Sequence, residues 1–276
     1  NSNNIYQAIN VWAEYKKVLN DSHNVSVMAG YNQEEKRYAS TAYTMTNLYD
    51  NDLPISSLAI NYKDNSEKDD IWRVQGAFFR LNYDYRSKYL LEVNGRYDGS
   101  SKYAKHDRWA FFPSASAGWR ISEEKFFKPL SKVVDNLKIR ASVGALGNQI
   151  TDGNHSYMSI LSGTVLNNYM MGGKVINALN VPTLPSLVSW EKVISKDVGL
   201  DWSMFNNRFM GTFDFYVRDT KDMVRPMTLP AVLGTKGGKE NIADMRTVGW
   251  EVELTWKDRT KNVLGSPLDY SFTVGL

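Results

Sequence analysis

The chain has 276 residues, with 33 Lys and Arg against 30 Asp and Glu and a formal net charge of +3. That balance favours neither nucleic acid nor a broadly basic membrane-binding surface. Cysteine is absent, which excludes disulfide scaffolds, Cys-based metal sites and thiol chemistry. No run nears the roughly 18–20 apolar residues of a membrane-spanning helix, although strands can cross a membrane by alternation.

From the N-terminus, NSNNIYQAINVW has no charged segment followed by an apolar run, so no signal peptide is expected there. Period-two alternation then predicts strands over 5–18, 25–45, 71–85, 88–98, 108–121, 137–147, 190–205, 208–220, 247–258 and 269–276. Segment 122–136, SEEKFFKPLSKVVDN, breaks the pattern. Ser122 is expected to cap a short helix, with Glu123 and Glu124 in its first turn and Pro129 limiting its length. The C-terminal DYSFTVGL ends inside a strand, and both ends read as cuts from something longer.

The connections fall into two sets. One end of the sheet receives 19–24, Arg86-Ser87, 122–136, Asn206-Asn207 and 259–268; the other receives 46–70, 99–107, 148–189 and 221–246. Tight turns at one end and long loops at the other are the pattern of an up-and-down outer-membrane barrel. Aromatics are expected to gather in two belts. Tyr83, Tyr85, Tyr89, Trp119, Trp202, Phe205 and Trp256 lie toward the tight end, and Trp72, Tyr97, Trp109, Trp190 and Trp250 toward the other.

The stretch RFMGTFDFYVR (208–218) shows the central question. Phe209, Gly211, Phe213, Phe215 and Val217 alternate with Met210, Thr212, Asp214, Tyr216 and Arg218. Alternation alone also fits a soluble β-sandwich, a glycan-binding module whose apolar row meets a second sheet. The lopsided loops, the aromatic ends of the apolar rows and the lack of a covering layer favour a membrane barrel, with Phe213 and Phe215 toward lipid and Asp214 and Arg218 toward a wet lumen. The fold class is therefore all-β: an antiparallel up-and-down transmembrane β-barrel, partial, with about ten strands of a larger barrel.

Several runs carry a resemblance: FFRLNYDYRSKYLLEVNGRYDGSSKY (78–103), RWAFFPSASAGWRISEEKFF (108–127), NLKIRASVGALGNQ (136–149), SWEKVISKDVGLDWSMFNNRFMGTFDFYVRDTKDMV (189–224) and ENIADMRTVGWEVELTW (240–256). Together they resemble the barrel of SusC/RagA-type TonB-dependent outer-membrane transporters of Bacteroidetes, over nearly the whole chain and least before residue 70. The resemblance implies that residues 1–276 form part of one such barrel domain of the plugged 22-strand class, in the cell outer membrane, without the plug, TonB box, signal peptide or final strand. It further implies uptake of oligosaccharides, peptides or similar large nutrients. The implied partners are a SusD-like surface lipoprotein, the TonB complex acting through the N-terminal region, outer-membrane lipid and a glycan or peptide substrate, with no nucleic acid.

Chemistry-bearing motifs are few. His23, His106 and His155 sit in separate segments, with no HExxH or paired spacing, so no zinc site is expected; the oxygen ligands of Asp64, Glu67, Asp69 and Asp70 leave calcium as the one open metal alternative. No nucleophile motif appears, and neither catalytic residues nor a cofactor are expected. The GTKGGKEN run (234–241) reads as an external loop. Asp64, Glu67, Asp69 and Asp70 read as a solvated loop face that fits no EF-hand spacing, and DGSS (98–101) as a polar turn. The candidate lumen residues for contact with substrate are Glu92, Arg96, Asp98, Arg140 and Asp214, beside Lys138. Such charges serve equally for mutual pairing, for contact with a plug, or as a polar wall along which hydrated solutes pass.

Overall fold

The computed structural model describes residues 2–48, 52, 59–149, 153–155, 157–158, 165–179, 185–233, 237–263 and 266–276. Its strands are β1 (Ser2–Leu19), β2 (His23–Leu48), β3 (Ala59–Tyr85), β4 (Tyr89–Ser100), β5 (Trp109–Arg120), β6 (Val134–Asn148), β7 (Val165–Met171), β8 (Lys174–Leu179), β9 (Glu191–Met204), β10 (Phe209–Pro226), β11 (Lys239–Val263) and β12 (Ser266–Gly275). Strands β7 and β8 pair only with each other; the other ten make one sheet in chain order, with β1 and β12 as its edges. Every pairing between neighbours of this ten-stranded sheet is antiparallel. This is an up-and-down barrel wall, open along two edges.

Register carries the alternation of single strands into continuous faces. Phe213 lies opposite Leu200 on β9 and Val252 on β11. Leu200 faces Ile139, Ile139 faces Trp119, and Trp119 faces Tyr89. One position along, Asp214 lies opposite Gly199 and Glu251, and Gly199 opposite Arg140. The apolar row therefore runs across the sheet on one side and the charged row on the other.

The apolar side is bare: Phe213 is 38% exposed, Phe215 44% and Trp250 57%. Among the described residues the buried hydrophobics are Tyr103, Phe112, Phe127, Val188 and Trp190, and none belongs to that row. A sandwich would bury a long list of row residues between two sheets, so the sandwich alternative does not describe this chain. An apolar face of this extent is unfavourable in water and suited to acyl chains.

All ten expected strands exist, but several run further than alternation indicates. Of the expected loop 46–70, residues 59–70 belong to β3, while 49–51 and 53–58 lie outside the described residues. Polar side chains on both faces hide a strand from a pattern search, and here cross-strand pairs support it. Arg37 Nη2 meets Asp69 Oδ2 at 2.7 Å and Arg73 Nε meets Glu35 Oε2 at 2.6 Å. Much of 221–246 likewise belongs to β10 and β11, with 234–236 outside the described residues. The connection 148–189 carries the β7–β8 hairpin, turned by Gly172 and Gly173 at φ +60° and +74°, the left-handed pair that a two-residue type I′ turn needs. Asp98–Ser100 complete β4, so the turn starts at Ser101.

Segment 122–136 forms no α-helix. It contains three short 3₁₀ turns, Ile121–Glu123, Lys125–Phe127 and Leu130–Lys132. Ser122 caps nothing and instead bonds Asn136 Oδ1 at 3.3 Å. Two belt assignments also change. Trp72 lies opposite Lys36 in the row shared with Val74 and Gly76, on the charged side. Trp190 is 4% exposed and packs on Tyr103 and Phe112 with ring centroids 5.3 and 5.4 Å away. The rest of the outer belt is evident in Tyr97 and Trp109, stacked at 5.0 Å.

Candidate functional site

The charged face is concave: one groove of about 620 Å³ is lined by Lys16 of β1 and Asp197 of β9, with β2–β6 between them in the sheet. Glu92, Lys138 and Arg140 share its wall. Two carboxylate–guanidinium clusters stand on this face, each built over a glycine.

The first joins β6, β9 and β10. Arg140 Nη2 donates to Asp214 Oδ2 at 2.6 Å, Nε to Asp201 Oδ1 at 3.1 Å and Nη1 to Asp197 Oδ1 at 3.4 Å. Lys138 Nζ lies 3.7 Å from Asp201 Oδ2. Arg140 and Asp214 are two strands apart, and Gly199 lies between them. A Cβ on Gly199 would stand 2.5 Å from Arg140 Cζ and 2.5 Å from Asp214 Oδ1. Only the absence of a side chain there lets the pair meet. Three carboxylates around one guanidinium and one ammonium leave the cluster net negative, and Glu251 lies opposite Asp214.

The second joins β2, β3 and β4. Arg96 Nη2 and Nε donate to the two oxygens of Asp98 at 2.8 and 3.1 Å, and Nη2 also reaches Asn32 Oδ1 at 3.1 Å. The guanidinium lies over Phe78, 5.4 Å from its centroid, a stacking arginine favours. Asp98 fills the space above Gly76, where a Cβ would fall 1.9 Å from Oδ1. Glu92 stands apart from both clusters; its Oε1 accepts from Asn94 Nδ2 at 2.7 Å, and Asn94 Oδ1 accepts from Arg80 Nε at 2.9 Å.

The five candidates thus share one face, as two pairs and one separate carboxylate. Sequence reasoning left out Asp197 and Asp201, although both lie in the same polar row, and it left out Asn32, Arg80 and Asn94. The missing signal was register, since the residues meet only when β6, β9 and β10 are aligned. The histidines have separate neighbours: His23 Nδ1 with Tyr83 OH at 2.8 Å, His106 with Asp107 and His155 with Asp70. Among the described residues no three His, Cys, Asp or Glu side chains are arranged to hold a metal, and no helix is long and apolar enough to cross a membrane.

Comparison with known proteins identifies the family. The family model "TonB dependent receptor-like, beta-barrel" matches residues 1–275. TonB-dependent receptor P26 of Formosa agariphila is 30% identical over 261 residues, covering 90% of this chain and 25% of that protein. TonB-dependent receptor SusC of Bacteroides thetaiotaomicron is 31% identical over 203 residues, covering 71% of this chain and 20% of that protein. The chain therefore spans about a quarter of the length of the curated relatives it matches. Among solved structures, the RagAB peptide importer in its closed-closed state superposes with a TM-score of 0.80 at 22% identity, over 99% of this chain and 30% of that one. The siderophore receptor PirA from Acinetobacter baumannii gives 0.57 at 14% identity, over 92% and 35%. At these identities the two structures support the fold alone.

Proposed function

We propose, since this chain belongs to the TonB-dependent receptor β-barrel family, that it supplies ten consecutive wall strands of a SusC/RagA-type nutrient importer in the outer membrane. The observation that carries this reading is the two-sided sheet: a bare apolar row through Phe213 and Leu200 backs a charged row through Asp214 and Arg140. The apolar side meets acyl chains and the charged side borders an aqueous conduit.

In this reading the work is passage, not covalent chemistry. Glu92, Arg96, Asp98, Arg140 and Asp214 keep the conduit hydrated. The Arg96–Asp98 and Arg140–Asp214 pairs, together with the separate Glu92, present a polar wall along which solute hydroxyls and amides exchange with water. The substrate is a glycan or peptide too large for passive diffusion. A SusD-like lipoprotein closes over the long-loop end, and the TonB complex supplies energy through parts of the importer outside these strands. SusC is a TonB-dependent receptor and RagAB a peptide importer, which supports the TonB and peptide assignments; the glycan and lipoprotein assignments rest on the resemblance to SusC/RagA-type transporters.

The test is a nitroxide scan of residues 209–217 in the full-length importer in lipid. Odd positions are expected to relax with oxygen, which partitions into acyl chains, and even positions with a water-soluble nickel chelate. The opposite parity, or no parity, would overturn the reading.

A further inference from the structure

The turn after β5 carries chemistry that solute passage does not use. Among residues 125–133, KFFKPLSKV, Phe126 is 65% exposed and Leu130 56%, and Val133 is exposed too. Lys125, Lys128 and Lys132 are exposed between them, and among the described residues none forms an ion pair. Apolar and basic side chains interleave over nine residues, in a chain whose net charge is only +3.

The segment is fastened to the membrane-facing rim. Glu124 Oε1 accepts from Tyr89 OH at 2.7 Å and from Trp119 Nε1 at 3.3 Å, and Lys88 Nζ reaches Oε2 at 3.3 Å. Tyr89 and Trp119 stand opposite each other in the bare apolar row, at its tight-turn end. Pro129 and the 3₁₀ turns keep the stretch from forming a helix that could bury its own apolar side chains. Phe127 alone turns inward, at 4% exposure. Exposed rings and aliphatic groups adjoining a lipid-facing aromatic girdle, with unpaired ammonium groups among them, complement one kind of surface: acyl chains beneath anionic headgroups.

We infer that residues 125–133 form an interfacial binding site for anionic phospholipid of the leaflet at the tight-turn side. Phe126, Leu130 and Val133 enter the acyl boundary, and Lys125, Lys128 and Lys132 contact headgroup phosphate. The acids nearest in the chain are Glu123, Glu124 and Asp135. Glu124 is occupied by the girdle, and Asp135 accepts the backbone N–H of Asn207 at 2.8 Å; neither Asp135 nor exposed Glu123 forms an ion pair with the three lysines, so both compete with headgroup phosphate for them only through solvent. The inference rests on the barrel sidedness proposed above.

The test uses the full-length importer, purified in detergent, titrated with phosphatidylglycerol or phosphatidylethanolamine and read by native mass spectrometry. Wild type is expected to retain phosphatidylglycerol over phosphatidylethanolamine, and K125Q/K128Q/K132Q to lose at least tenfold in that preference, each lysine being worth about fivefold near an anionic surface. Heat-modifiable gel mobility checks that the variant barrel is folded, and the three single Lys→Gln variants give the same readout if the triple does not fold. Equal retention of both lipids by wild type, an unchanged preference in folded variants, or displacement of phosphatidylglycerol by lipid A would overturn the site. Failure here with correct parity in the nitroxide scan removes the lipid site and leaves the importer reading intact.

Discussion

Arg140 and Asp214 meet at 2.6 Å across an intervening strand because the residue between them, Gly199, has no side chain. This geometry predicts that Gly199→Val separates the pair and leaves Asp214 among like charges. Removing one partner from a half-buried, multiply bonded ion cluster costs about 1–2 kcal/mol after screening by lumen water. Gly118→Ala is the control: it lies opposite Arg140 on β5, and its added Cβ would meet Lys138 Cε, near the end of a long side chain, at 3.3 Å and Leu90 at an ordinary 3.5 Å. Thermal unfolding of the full-length protein in detergent should show a clear loss for Gly199→Val and little change for Gly118→Ala. Equal effects would mean that the glycine is ordinary filler.

The two faces should respond oppositely to the same new charge. Phe213→Arg puts a guanidinium into the row of Leu200 and Val252, where a mid-membrane cation costs about 2–4 kcal/mol. Thr212→Arg, one residue away, places it between Asp201 and Glu253, where it should be neutral or mildly stabilising. Denaturant titration in lipid vesicles measures both. A soluble fold with the apolar row in a dry core would also reject Phe213→Arg, so the discriminating readout is dependence on bilayer thickness, which only the membrane reading predicts.

Glu124 gives a pH signature outside the bilayer. The Tyr89 hydroxyl, then the Trp119 indole and the Lys88 ammonium, hold its carboxyl below the ordinary value of 4.5. A carboxylate with a depressed native pKa adds stability that is full above its unfolded pKa and is lost as pH falls through the native one. Wild type should therefore melt above Glu124→Gln at neutral pH, and the gap should close on acidification below about pH 4. Melting curves from pH 7 to 3 test this, and a gap that stays constant would show that the carboxyl charge is not what binds the girdle.

The same contrasts mark what the sequence could reveal. Phe209–Val217 and Val248–Trp256 alternate cleanly because bilayer on one side and water on the other impose opposite demands on neighbouring residues. Where both faces of a hairpin meet water, as at Arg37 and Asp69, that contrast vanishes, and the outer half of β3 read as loop. Period-two alternation placed Asp214 and Arg140 on one face. Their contact depended on the β6–β9–β10 register, which skips the long 148–189 connection and could not be read from local spacing. Ser122 carried a helix-capping signature, yet its hydroxyl is used by Asn136, a tertiary partner absent from any local window.

Trp190 offers the sharpest separation between a belt residue and a buried one. Its position just before β9 and its indole both fit an interfacial belt, yet it is enclosed by Tyr103, Phe112 and Val188. Its Nε1 donates to the Arg108 carbonyl at 3.0 Å. The neighbouring Ser189 N–H is bound by Asn241 Oδ1 at 2.7 Å, so one small core ties the β4–β5 connection to the approach to β9 and to β11. Burial here also pushes the Tyr103 phenol well above its usual range. Trp190→Ala should cost about 3–5 kcal/mol of local stability and expose Ser101–Arg108 to limited proteolysis. Trp190→Phe keeps a ring and removes one of the two donors to the Arg108 carbonyl, which still accepts the Ser100 N–H at 3.1 Å, so it should cost about 1 kcal/mol or less. Brominated lipid decides location directly. In single-tryptophan versions of the importer, Trp109 and Trp250, both exposed on the apolar side, should be quenched strongly and Trp190 should not. Comparable quenching of all three would return Trp190 to the belt and remove the buried buckle.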